Sequence, residues 1–261
     1  MGSMWVDPAE DPKVYPTIPT VEFPVPDYSA SGLTHASGFP EASWGADFLS
    51  MTALIEFTQY KDPGTGQTWQ EVVLASIASP PSRPVDIENA LKALVQMQKT
   101  ERHILLPEIL AQSGDFQMYF CSQLGIYPRT HPTSYLLLKI AARIGELVMV
   151  YLKRYHGSEA VRPSHLYPRL TPPLQVPPHA AYPSGHAMIS AILAHTAGTF
   201  VPNLSEAAFE LADRIARNRE VAGLHFAWDS AAGKDAAKAT FDIITRLYAF
   251  NDRYDAAAAE W

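Results

Sequence analysis

Residues 131–157 read HPTSYLLLKIAARIGELVMVYLKRYHG, and their spacing decides the fold class. Leu137, Ile140, Ala141, Ile144, Leu147, Val148 and Tyr151 recur at steps of three and four, the period that lines apolar side chains along one helix face. Gly157 marks the end of that helix. Downstream, RPSHLYPRLTPPLQVPPHAAYP (162–183) carries seven prolines. It reads as a proline-laden connector from Pro163 to Pro183, and an irregular segment of such length inside a compact domain usually serves a function. Residues 185–200 and about 228–254 read as two further helices. Between them, Leu204, Ala208, Leu211 and Ile215 form the inner face of another, with Asn203 and Glu206 spaced as a capping box. Upstream, a weaker helical pattern spans 46–61, and a helix begins near Asp86 with Ile87, Leu91, Leu94 and Val95 on one face. No stretch alternates as a strand would, and none repeats. The expectation is an all-α fold: one helical bundle over residues 46–261, preceded by a proline-rich extended arm over 1–45. Met1–Ser3 reads as a cloning remnant.

Hydrophobic residues make up 47% of the 261 and charged ones 18%, enough to bury a sizeable core. The net charge of −7 argues against nucleic acid as a partner, since phosphate backbones recruit basic faces. Cys121 is the one cysteine; in the apolar setting MYFCSQL it reads as a buried small residue, and no disulfide within the chain can form. The first residues show no basic segment followed by an apolar one, so no secretory leader is expected. The longest apolar run near the strongest helix, LVMVYL (147–152), is far short of a bilayer span. These features predict a soluble, cytoplasmic protein with a small-molecule substrate and without nucleic-acid or membrane partners; a homo-oligomer is left open.

Three polar clusters interrupt the helices. In HAAYPSGHAMIS (179–190), a Ser-Gly-His turn opens a small-residue helix. Ser184 there reads either as an N-cap or as part of an anion site, because a helix N-terminus offers free N–H groups and partial positive charge. In NREVAGLHFAWDSAAG (218–233), His225 and Asp229 are four apart and share a helix face, so the carboxylate can fix the imidazole tautomer. In LKRYHGSEAVRP (152–163), Lys153, Arg154 and Arg162 are basic. Together these residues are what holding a tetrahedral oxyanion requires.

In order and spacing the set resembles the superfamily of type-2 phosphatidic acid phosphatases, soluble acid phosphatases and vanadium haloperoxidases. The family pattern is Lys-x6-Arg-Pro, then Pro-Ser-Gly-His, then Ser-Arg-x5-His-x3-Asp. The second motif is intact at Pro183–His186. The third is intact from Arg219 through His225 to Asp229, with Asn218 in place of the serine. The first departs from the pattern: Lys153 precedes Arg162 by nine residues, Arg154 by eight, and Tyr155 holds the strict lysine position. On a helical wheel Lys153 points away from the apolar stripe while Arg154 lies on its flank, so Arg154 is expected to take the lysine's part.

The resemblance implies a helical bundle of the vanadium haloperoxidase and acid phosphatase type. It implies that Arg162, Arg219, Gly185 N–H and Ser184 clamp equatorial oxygens, with Arg154 or Lys153 assisting. His225 becomes the axial group, a ligand to the vanadium of vanadate or a phosphohistidine-forming nucleophile. Asp229 orients it, and His186 is the general acid/base. His179, five residues before Ser184, matches a second active-site histidine of bromoperoxidase-like members, and Phe226 and Trp228 flank the third motif with aromatic rings. These details lead to a vanadate-dependent oxidation of bromide or iodide by hydrogen peroxide. The alternative is a phosphohydrolase of small phosphate esters or diphosphates, without vanadate.

Overall fold

The computed structural model describes residues 44–157 and 160–261. The expected arm falls almost wholly on residues 1–43, outside the described residues. From Trp44 to Trp261 the chain forms one unit. Among the described residues it is all α-helical, with only an isolated bridge between Lys61 and Thr68. The helices are α1 (Ala46–Thr58), α2 (Trp69–Ser76), α3 (Pro84–Thr100), α4 (Arg102–Ala111), α5 (Phe116–Gln123), α6 (Pro132–His156), α7 (Pro163–Leu166), α8 (Gly185–Phe200), α9 (Ser205–Val221), α10 (Ala227–Ile244) and α11 (Tyr248–Ala258).

The core is built around α6 and α8. Nearly every side chain of α8 is buried, and many are small: Ala187, Ser190, Ala191, Ala194 and Ala197. A helix apolar all round belongs inside a bundle, and α8 is enclosed by α6, α9 and α10. Small residues let the neighbours come close. A Cβ on Gly145 of α6 would lie 3.0 Å from Ile192 Cδ1 and 3.2 Å from Ile189 Cγ1. On the other side of α8, a Cβ on Gly233 of α10 would lie 2.7 Å from the Ser184 carbonyl oxygen and 3.1 Å from Met188 N. Gly233 therefore sets how near α10 comes to the N-terminus of α8, and Ser184 N–H donates to the Asp229 carbonyl at 2.9 Å across that junction. Gly233→Ala is expected to force the two helices apart and cost about 1–3 kcal/mol, as overpacking does. Thermal unfolding should show a lowered midpoint for Gly233→Ala and an unchanged one for Gly114→Ala, where a Cβ meets open space.

Several boundaries differ from the sequence reading. The helix expected over 228–254 breaks into α10 and α11 at Thr245–Leu247. The capping box at Asn203 and Glu206 does not form, because Pro202–Leu204 makes a 3-10 turn and α9 starts after it without a side-chain cap. The helix expected from Asp86 starts at Pro84, with Asp86 paired instead to Arg83 at 2.7 Å. Cys121 is buried, and burial pushes its thiol up to about 12.

Candidate active site

Three junctions bring the polar residues together. The first is the end of α6. Lys153 is buried, and its ammonium donates to the carbonyls of Ala180 at 2.8 Å, Ala181 at 3.2 Å and Pro183 at 2.8 Å. Arg154 is exposed. The expectation that Arg154 would take the lysine's part is thus corrected: Lys153 points into the molecule. The wheel was centred on one apolar stripe, but α6 is buried on two sides. Its second stripe runs through Leu138, Ala142 and Gly145, in register with Lys153. This stripe faces α8, where a Cβ on Gly185 would collide with the Met149 sulfur and come within 3.9 Å of Lys153 Cε. Burial, and then the neighbouring Arg162, push the Lys153 amine down to about 7.

The second junction is the start of α8. Ser184 is its N-cap, accepting the Ala187 N–H at 3.4 Å. The capping reading of Ser184 is therefore observed, and it leaves the hydroxyl proton free to be donated. Gly185 opens the helix and is buried. The next residue, His186, stacks on Phe116 with ring centroids 4.3 Å apart, and its Nε2 lies 3.3 Å from the Gln112 carbonyl. Burial, reinforced by Arg219, pulls its pKa to about 3. A neutral ring that donates from Nε2 leaves Nδ1 as a bare acceptor.

The third junction joins α9 to α10. Arg219 ends α9, and the chain turns at Gly223, whose φ of 78° is the left-handed conformation glycine adopts without a Cβ penalty. Gly223 N–H reaches Glu220 O at 2.7 Å and Leu224 N–H reaches Arg219 O at 3.1 Å. This closed turn fixes the spacing from Arg219 to His225. His225 Nδ1 lies 3.1 Å from Asp229 Oδ2, which also accepts the Phe226 N–H at 3.0 Å. One carboxylate oxygen thus caps α10 and orients the ring. His225 Nε2 lies 3.0 Å from Arg162 Nη1. An arginine nitrogen only donates, so Nε2 is the acceptor and the proton sits on Nδ1. Burial first, then Arg162, Lys153 and Arg219, hold the His225 pKa well below its usual value. Burial pushes Asp229 upward.

Arg162 links the three. Besides His225, it donates to the carbonyls of Leu224 at 3.0 Å, His179 at 3.2 Å and Ala180 at 3.3 Å. Its Nε is buried and unpartnered, as are Nε and Nη1 of Arg219. Buried donors left unpaired are costly, and three of them on two neighbouring arginines suit a bound acceptor. Glu220 is also buried, with Arg217 at 3.7 Å, and its charge acts on Asp229. Three buried basic residues, Lys153, Arg162 and Arg219, thus stand against two buried carboxylates, Asp229 and Glu220.

Arg162 and Lys153 also form the inner wall of a cavity of about 620 Å3, whose rim carries Arg154, His165 and His179. His179 is exposed, with Nδ1 3.2 Å from Arg162 Nη2. Phe226 and Trp228 stack with centroids 4.3 Å apart beside the site; Phe226 is a core residue.

The sequence reading missed Gln112 and Phe116. Gln112 Oε1 accepts from Asn218 at 3.0 Å while its carbonyl faces His186, so one residue at the end of α4 ties two of the motifs. No pattern signals it, because the contact with His186 spans 74 positions in sequence. Gly223 and Gly233 were legible as glycines, but the close approach at Gly233 was not.

No protein-family model matches the chain, and no curated protein matches it. Among solved structures it is similar to the first transmembrane PAP2-type phosphatidylglycerolphosphate phosphatase from Bacillus subtilis, at 19% identity and a TM-score of 0.35, over 77% of this chain and 94% of that one. That protein is a transmembrane one, which stands against the expectation of no membrane partner. Among the described residues, no helix is long and apolar enough to cross a membrane.

Proposed function

We propose that the chain is a phosphohydrolase of the phosphatidic acid phosphatase superfamily, acting through a phosphohistidine on His225. The carrying observation is the neutral His225, with Nδ1–H on Asp229 and the Nε2 lone pair turned toward Arg162, beside the unpartnered N–H groups of Arg219. Arg162 touches both the cavity and His225. An entering phosphate takes over the Arg162 N–H that Nε2 now holds, which exposes the lone pair to phosphorus. Arg162, Arg219, Gly185 N–H and the Ser184 hydroxyl stabilise the charge that builds on the equatorial oxygens. Nε2 forms a bond to phosphorus as the ester P–O bond breaks. Asp229 stabilises the imidazolium character that develops.

His186 handles the leaving group. In the resting site its Nδ1 is unprotonated. The proton that the leaving alkoxide takes comes from the monoanionic ester itself and passes through Nδ1 of His186, which burial and then Arg219 keep from holding a proton at rest. The same nitrogen then accepts a proton from the water that releases phosphate.

Vanadate is tetrahedral like phosphate, and the same donors fit it. That fit, with His179 beside Arg162, is what favours the second reading, halide oxidation with hydrogen peroxide. Arg162, Arg219 and His225 would hold the vanadate, which when bound supplies activation of peroxide. One pair of assays separates the two. Hydrolysis of p-nitrophenyl phosphate by vanadium-free protein, with inhibition by added vanadate, is the expected result. Bromination of a phenol dye with vanadate and peroxide, without ester hydrolysis, would overturn it in favour of the second reading.

A further inference from the structure

We propose that Arg154 and His165 form a subsite for a second anionic group, so that the preferred substrate is a phosphate ester bearing another phosphate or a carboxylate. This rests on the reading that a phosphate sits against Arg162 and Arg219, and Arg162 is the residue that site shares with the cavity. The open cavity there has a volume of about 620 Å3. A single phosphate fills little of it. Within a chain of net charge −7, its described lining contains Lys153, Arg154, Arg162, His165 and His179 and no carboxylate.

Two of these cations already have duties. Lys153 gives its three protons to backbone carbonyls, and Arg162 is seated on His225. Arg154 lies on the same helical turn as Lys153 but faces the rim, exposed, and it has no hydrogen-bond or ion-pair partner among the described residues. An unpaired arginine fork at the mouth of a cationic cavity is suited to bidentate capture of a phosphate or carboxylate. The remaining lining, including Val150, Val161 and Pro178, is apolar and does not compete for it.

Calorimetric titration of the full chain with inorganic phosphate, pyrophosphate and phosphoglycolate tests this without relying on turnover. Pyrophosphate or phosphoglycolate should bind about tenfold or more tightly than phosphate, the gain expected of one charge-assisted contact. The better of the two identifies the second group. Arg154→Gln should erase that preference and Arg154→Glu reverse it; both substitutions are at an exposed position. Phosphate binding with no preference in the wild-type chain, or a preference that survives both substitutions, overturns the subsite and leaves the phosphate reading standing. Failure of all three ligands to bind overturns both.

Discussion

His225→Ala protein is expected to fold and to lose ester hydrolysis by on the order of 10^3-fold or more, as removal of a nucleophile does. The neighbours of His225 keep partners without it. Asp229 Oδ2 retains the Phe226 N–H, and Arg162 retains three backbone carbonyls. Circular dichroism should therefore be unchanged while turnover disappears. Wild-type protein quenched during turnover should carry an acid-labile, base-stable phosphoryl group that the variant lacks. Asp229→Ala should cost less than His225→Ala, because it orients the ring without touching phosphorus. Full activity in His225→Ala would remove this residue from the chemistry.

Arg219→Met should separate function from stability. Two of its nitrogens are buried without an acceptor, and each such group costs about 1–3 kcal/mol. A methionine of similar reach removes that cost and the burial of a charge. The variant is expected to unfold at a higher temperature than the parent in anion-free buffer. The order should invert in function. Loss of one oxyanion donor lowers turnover by roughly 10^2–10^3-fold, and phosphate, which should raise the wild-type midpoint by binding the folded state, should leave the variant's unmoved. A variant both less stable and fully active would show that Arg219 is a structural cation.

What was legible in the sequence was what is local. His225 and Asp229 do meet, though not on a shared helix face: His225 precedes the N-cap Phe226, and Asp229 in the first turn of α10 reaches back to it. Ser184 caps α8 because a serine before a small-residue helix does so. The apolar period of residues 137–151 gave α6, but not how many sides of it are covered. That depends on α1 and α8, which lie far off in sequence, and it turned Lys153 inward against the wheel. Gln112 and Phe116 were beyond reach for the same reason: each acts on His186 from a different helix.

Gly157, with a φ of 51°, ends α6 between Lys153 and Arg162, and Arg162 caps a new short helix. The two cations are thus held by separate elements, each anchored by its own hydrogen bonds, and eight residues separate them where the pattern has six. The gap from Arg219 to His225 is the opposite case, since the bonds around Gly223 lock its count. One spacing departs from the pattern and the other is locked. Sequence searches for further chains of this kind should therefore let the interval before the Arg-Pro pair vary freely, and treat an insertion between the later arginine and histidine as grounds for rejection.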